Sequence, residues 1–407
     1  MTVVNPGLRM KSFDVYMSTM EALHMKIAIV SLFEWETSCM RVLFINSVCG
    51  IRSTGRIVTD LAMDYIAQGH EVKIAYGRGD VPAQFQDMVY RIGTECDVRV
   101  AALKARIFDN EGFNAIRETR KLTAWAQRYD PDVVWLHNLH GYYLNIEELF
   151  RWIKSRPQMQ VLWTLHDCWA FTGHCAHFTM AGCTRWKTHC QNCCQTRVYP
   201  KSAVKDNCKE NFIRKRAAFC GVKNMTLISP SRWLGDLVKQ SFLKDYPVEV
   251  IHNQIDTSVF KPTAGNFRIR YSVQNRKIVL GVSSVWNNAK GYADFLKLAG
   301  MLDDSYVIVM VGLTKQQMKS LPSPIIGIER TDTPAELAEI YTTADVFVNL
   351  TYEDTYPTVN LEAQACGTPC LTYRTGGTVE IVPPENVVEQ GDLDAMAARI
   401  RAVCAEG

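Results

Sequence analysis

Asp354 and Glu362 close the two ends of one short segment, Asp354-Thr-Tyr-Pro-Thr-Val-Asn-Leu-Glu362. Two carboxylates so placed can accept hydrogen bonds from the hydroxyls of a polyol. Val346-Phe-Val-Asn-Leu350 before them reads as a buried strand. Leu361 to Cys366 reads as a helix that Gly367-Thr-Pro369 ends. The loop therefore lies at the carboxyl end of a parallel strand, where open α/β sheets bind ligands. A helix N-terminus, which attracts anions, opens onto the same crevice. Hydroxyl acceptors beside an anion site describe a nucleotide-sugar. The plainer reading, that Glu362 caps or solvates a helix, fits an isolated pair of acids, but other features of the chain weigh against it.

Lys290 precedes Gly291 and supplies a compact positive charge for a phosphate, or else merely starts a solvated helix. His166 and Asp167 follow the apolar run Gln160–Leu165, at the carboxyl edge of a predicted sheet. His137, Asn138, His140 and Gly141 follow Asp132-Val-Val-Trp-Leu136 in the same way and are candidates for an acceptor pocket. A histidine in such a loop also serves as packing. Gly50 and Gly55 form a glycine loop without the spacing of a dinucleotide fingerprint; a loop of this kind lets backbone approach a ligand. Thr375-Gly-Gly377 is a turn at a strand end. Of the 14 cysteines, seven fall between Cys168 and Cys208. Cys175 and Cys183 precede the knuckle Cys190-Gln-Asn-Cys193, in a stretch with little helix or strand pattern. So long an irregular segment inside a domain calls for a reason, and four thiolates around a structural zinc supply one. Cys194, His174, His177 and His189 are substitute ligands; reduced packed thiols or disulfides are the other readings.

The elements that must hold these residues alternate from Met40 onward. Met40-Arg-Val-Leu-Phe-Ile-Asn46 opens a Rossmann-like unit, with a helix over about Arg56 to Gln68 and a strand over Glu71–Ala75. A helix over Ala115–Arg128, the strand ending at Leu136, a helix over Asn145–Lys154 and the strand Gln160–Leu165 follow. Asn207–Phe219 reads as helix and Thr226–Ile228 as strand, with Ser229-Pro230 as the cap and first turn of the next helix. Glu249-Val-Ile-His252 closes this half. After a linker over 252–266, strands are predicted at Lys277–Val282, Tyr306–Val311, Ile325–Ile328, Val346–Leu350 and Cys370–Tyr373. Thr333-Pro-Ala-Glu336 reads as a capping box. The pattern is α/β, two tandem doubly wound parallel-sheet domains. The predicted division is an extension at 1–39, a first domain at 40–252 with a cysteine-rich insertion at 168–208, and a second at 253–407. Met40 is the expected natural start, because the methionine-studded segment before it lacks a glycine loop after its apolar run.

The chain has 407 residues, 47% hydrophobic and 21% charged, with a formal net charge of +3, which describes a folded protein and gives no case for nucleic-acid binding. No apolar run reaches the length of a membrane span, and a secretion signal is lacking, so a cytoplasmic location is expected. The basic stretch Lys209 to Arg216 is a candidate for peripheral contact with the inner membrane face, or a solvated helix face.

Several motifs together resemble the family 4 glycosyltransferases, which have the two-Rossmann-domain GT-B fold with a cleft between the domains. Val250-Ile-His-Asn-Gln-Ile-Asp256, with Phe260 and Pro262, is similar to the family's hinge, although Gln254 replaces its glycine. Asp354 and Glu362 match its two acidic residues, with aspartate where the family has glutamate. Gly281 to Gly291 resembles its phosphate-binding Gly-Arg…Lys-Gly segment; Lys290 matches, and Ser283 or Ser284 stands at about the arginine's place. The strings Leu136–Asn145, Trp163–Gly173 and the cysteine run resemble the bacterial exopolysaccharide and capsule transferases of the colanic-acid type. The likeness spans Met40 to the C-terminus.

The resemblance implies retaining hexosyl transfer from a nucleotide-diphosphate sugar to a hydroxyl of a glycan or lipid-linked glycan, in surface polysaccharide (capsule, exopolysaccharide or lipopolysaccharide) biosynthesis, without a catalytic metal. Lys290 would stabilise the leaving diphosphate, with Tyr356, Pro357, Thr358 and Ser284 lining the donor site. Asp354 would hold the sugar and Glu362 the ribose. His166 matches the family's cleft histidine, and Asp167 would line the acceptor side with His137, Asn138, His140 and Gly141. Three alternatives stand beside this one. A nucleotide-sugar epimerase or sugar phosphorylase shares the fold, a two-lobed protein could bind without catalysis, and a degenerate transferase could have lost activity.

Overall fold

The computed structural model describes residues 39–406, so the predicted extension lies outside the described residues except for Cys39. From Met40 onward the chain is one compact unit carrying two all-parallel sheets. The first contains β1 (Arg41–Asn46), β2 (Glu71–Tyr76), β3 (Val89–Arg91), β4 (Val133–Leu136), β5 (Gln160–Thr164), β6 (Met225–Ser229) and β7 (Val248–Val250), in the order β3-β2-β1-β4-β5-β6-β7. The second contains β8 (Lys277–Val282), β9 (Tyr306–Val311), β10 (Ile325–Ile328), β11 (Val346–Asn349), β12 (Cys370–Tyr373) and β13 (Val387–Val388), in the order β10-β9-β8-β11-β12-β13.

Strand runs such as Val133-Val-Trp-Leu136 are apolar at every position because helices cover both faces of each sheet. Successive residues of β8 and β9 supply opposite faces. Val279, Ile308 and Met310 enter one core, while Ile278, Leu280, Val307 and Val309 enter the other. The first lobe's core is aromatic, with the rings of Phe150, Trp163 and Phe219 within 4.7–5.7 Å of one another. Strand order reverses between β1 and β4 in one sheet and between β8 and β11 in the other. The loops after those four strands are therefore splayed apart, and they are where an open sheet leaves room for a ligand.

Most predicted elements are present within a residue or two, and several local devices differ. Ser229 ends β6, and Ser231 caps the following helix by accepting from the Leu234 N–H at 3.2 Å. Thr333 caps its helix, but Glu336 turns back to the Asp332 N–H, so the reciprocal half of the box is missing. The helix predicted from Leu361 begins at Thr358. The helix Glu95–Phe108 was not anticipated, although its capping box of Thr94 and Asp97 and its buried Val98, Ala101 and Ala105 are legible. Gln254 is not among the positive-φ residues, so the hinge does not require the glycine it lacks. Within the basic stretch Lys209 to Arg216, Lys209 and Arg216 are exposed, but the two basic residues between them are engaged. Lys215 is 1% exposed, bonded to the carbonyls of Trp169 and Thr172, and Arg214 pairs with Glu147.

Candidate functional site

The carboxyl ends of the two sheets enclose a cavity of about 690 Å³. Among the predicted residues, His166, Ser284, Lys290, Asp354, Tyr356, Pro357, Thr358 and Glu362 line it. Lys290 closes a single 3-10 turn, Asn288–Lys290, whose cap is the Asn287 side chain accepting the Lys290 N–H at 3.0 Å. Gly291 comes next with φ +70°, and a Cβ there would stand 2.3 Å from the Leu350 carbonyl oxygen. That close approach sets the β8 loop against the β11 loop. Lys290 Nζ then donates to Asp354 Oδ2 at 2.6 Å and to the Glu353 carbonyl at 3.2 Å. From the other side, Gly376 presses on the same loop, since a Cβ would lie 1.9 Å from the Asp354 carbonyl oxygen.

The helix Thr358–Ala365 starts at Pro357 with no side-chain cap and no acid in its first turn, leaving its leading N–H groups for an anion. One turn later Glu362 is only 8% exposed. Burial pushes its carboxyl up, countered by the Tyr341 hydroxyl that donates to Oε2 at 2.9 Å, by the charge of Arg56 and by Thr358. Tyr356 stacks on His252 at 4.6 Å, and its carbonyl accepts from Asn253 Nδ2 at 3.0 Å, which ties the segment after β7 to the loop after β11.

His166 brings the first lobe to the cavity. Its Nε2 lies 3.0 Å from His137 Nδ1, and burial pushes its imidazole down to about 4, against the opposing pull of Asp167. It is therefore neutral at ordinary pH and can donate without carrying charge. The remaining predicted acceptor residues do not line this cavity. His137 is packed on the rings of Trp135 and Phe44, its Nε2 buried without a partner. His140 bonds to Asp167 Oδ2 at 2.7 Å and to the Tyr199 hydroxyl at 2.9 Å. Burial opposes ionisation of Asp167, yet His140 and the Trp169 N–H hold its carboxyl at about 2. Asn138 takes its N–H to Asn46 Oδ1, and the Gly141 N–H goes to the buried Glu111 carboxylate. Gly50 and Gly55 also stand behind the wall, while their neighbours Arg52 and Arg56 form it. Those two arginines were missed; charged residues in the first turn after a glycine loop were the available signal. Arg330, following β10, was also missed.

The cysteine segment is compact, and all its thiols are free. Cys193 draws hydrogen bonds from the thiols of Cys175 and Cys208, which favours its thiolate. The Gly173 N–H donates to Cys190 Sγ at 3.2 Å, and the Gln195 N–H to Cys193 Sγ at 3.4 Å. The predicted ligand set is thus brought together in part. Cys175 and Cys193 meet, Cys208 joins them from outside the set, and Cys183 is half-buried to one side. Among the described residues no group of three or more His, Cys, Asp or Glu side chains stands at a metal-holding spacing.

Two facing Rossmann-like sheets, with a lysine, two acids and an uncapped helix at the cleft, are the architecture of a GT-B glycosyltransferase. The family model described as Glycosyltransferase Family 4 matches residues 54–259, and the one described as Glycosyl transferases group 1 matches 276–406. The chain belongs to glycosyltransferase family 4. It is 25% identical over 355 residues to the putative colanic acid biosynthesis glycosyl transferase WcaC of Escherichia coli K12, covering 84% of this chain and 85% of that one. In fold it is similar to sucrose-phosphate synthase from Thermosynechococcus elongatus, with a TM-score of 0.64, 16% identity and 90% of each chain covered. It is also similar to HepE of Anabaena, solved in complex with UDP and glucose, with a TM-score of 0.61, 13% identity and 90% of each chain covered.

Proposed function

We infer that this glycosyltransferase takes a nucleotide-diphosphate sugar and moves the sugar, with retention, to a hydroxyl of a surface glycan or its lipid-linked precursor. The observation that carries this is the Lys290–Asp354 pair beside the open first turn of Thr358–Ala365, with Glu362 one turn deeper in the same cavity. As the bond from the anomeric carbon to phosphate breaks, its electrons leave with the diphosphate. Lys290 and the helix N–H groups stand where that charge grows. Asp354 holds sugar hydroxyls, Glu362 the ribose, and neutral His166 donates from the opposite lobe. The acceptor oxygen then bonds to the anomeric carbon and its proton departs with the leaving group. A place in polysaccharide synthesis is supported by the likeness to WcaC, and a uridine donor by the UDP held in the HepE structure.

The test is a thermal-shift screen against UDP, GDP, ADP and CDP. One of them should raise the melting temperature in proportion to the logarithm of its concentration, and the effect should vanish in Lys290→Met. Four flat responses at millimolar nucleotide would remove the donor reading. Membrane contact through an acceptor lipid belongs to the same proposal; no helix among the described residues is long and apolar enough to cross a bilayer.

For the cysteine segment a structural zinc is proposed on donor chemistry alone. Cys175, Cys190, Cys193 and either Cys183 or Cys208 would hold it. The two N–H···S bonds described above suit thiolate ligands. Zinc would cross-link the insertion and take no part in transfer. Metal analysis of chelator-free protein should give one zinc per chain. A lower content would leave a set of reduced thiols.

A further inference from the structure

The two residues that flank Asp354 are each bonded to the opposite lobe. Glu353 is 6% exposed, and its Oε1 accepts from the Met180 N–H at 2.9 Å and from the Thr179 hydroxyl at 3.2 Å. Thr355 donates its hydroxyl to the His166 carbonyl at 2.9 Å. Thr179 and Met180 sit on the loop between Cys175 and Cys183, in the cysteine-rich insertion. The carbonyl of Glu353 in turn accepts from Lys290 Nζ at 3.2 Å and from the Thr351 hydroxyl at 3.0 Å. One residue thus touches the insertion with its side chain and the phosphate-site lysine with its backbone.

The geometry points to Glu353 as a positioning residue: it latches the donor loop onto the cysteine-rich insertion, so that the insertion sets where Asp354 and Lys290 meet the donor. Both donors to the carboxylate are neutral, and among the described residues no cation forms an ion pair with it. What the latch needs is therefore an acceptor oxygen and not a charge, and a glutamine amide presents the same oxygen. Removing the oxygen leaves the Met180 N–H without its partner and frees the loop that carries Asp354. The contact stands by itself; its consequence for ligand binding rests on the donor-site reading above.

The test compares Glu353→Ala and Glu353→Gln in the full chain by two measurements. These are hydrogen–deuterium exchange over residues 176–182 and titration calorimetry with UDP, GDP, ADP and CDP. In Glu353→Ala the 176–182 amides should exchange about tenfold faster, and the nucleotide that binds the wild type should bind about fivefold more weakly. Glu353→Gln should match the wild type in both. Unchanged exchange or unchanged affinity in Glu353→Ala overturns the latch, as does a glutamine variant that fails alongside the alanine one. Should the alanine variant not fold, Thr179→Val removes a single donor and must still speed exchange in that segment; no change there also overturns the proposal. A wild type that binds none of the four nucleotides defeats the donor reading alone, because the exchange measurement still decides the contact.

Discussion

Lys290 divides its ammonium between a carboxylate at 2.6 Å and a carbonyl at 3.2 Å, and both acceptors belong to the loop after β11. In the proposed complex a diphosphate would compete with Asp354 for this charge, or draw it forward while Asp354 turns to sugar hydroxyls. Lys290→Met should lower the transfer rate by roughly 10²–10³-fold with the fold retained, a loss typical of one missing electrostatic stabiliser. Initial rates with the donor found by nucleotide screening would show it, and a value within about threefold of wild type would deny Lys290 its role. His166 makes a prediction in pH. Its unfolded-state value is near 6.5 and its folded value about 4, so in that window the unfolded chain binds a proton that the folded chain refuses. Stability should fall as pH drops from about 6.5 toward 4, and His166→Gln should flatten that slope in urea melts at pH 7, 6 and 5. It should not abolish it, because buried His137 is shifted in the same direction. An unchanged slope would contradict the assigned burial effect.

Short elements hold the site, and glycines allow them to touch. At Gly291 the left-handed backbone and the 2.3 Å approach to Leu350 exclude any side chain, so Gly291→Ala should cost about 2 kcal/mol or more. Chemical denaturation would measure it, and a change below about 0.5 kcal/mol would mean that the two loops are free to separate. The Lys-Gly pair in the sequence was legible as a motif, but not the reason for it. The obstacle is a carbonyl some sixty residues away in sequence, invisible to any local pattern. Helix caps are only partly legible in the sequence for a similar reason. Thr333 and Ser231 are both serviceable caps, but whether Ser229 or Ser231 starts a helix depends on where β6 runs out. Strand length is set by pairing with β5 and β7 and not by the serines themselves.

At the scale of the molecule, the two lobes meet through partly buried polar contacts on the loop after β11 and through the Arg232 and Trp233 N–H groups, which donate to Glu380. The insertion's Met180 and Thr179, the carbonyl of His166 and the hinge Asn253 all bond to residues 353–356. Chelation of a zinc-loaded protein should therefore soften residues 176–182 first, seen as faster amide exchange there before the melting temperature of either sheet falls. Simultaneous loss throughout would place the metal's effect elsewhere. Local periodicity and the order of motifs along the chain sufficed for two doubly wound sheets and for most of the residues that line the cavity, because strands buried on both faces and capped helices write themselves into neighbouring positions. The acceptor group illustrates the opposite case. His137, His140 and Asp167 follow strands as cleft residues do, yet His140 and Asp167 bond to each other, His140 also packs on Tyr199, and His137 sits between Trp135 and His166. Arg56 near Glu362, Cys208 against Cys193 and Glu353 against Met180 were likewise out of reach. Each is a meeting of side chains far apart in sequence, and the partner of a buried polar group is chosen by packing in three dimensions, which no spacing along the chain records.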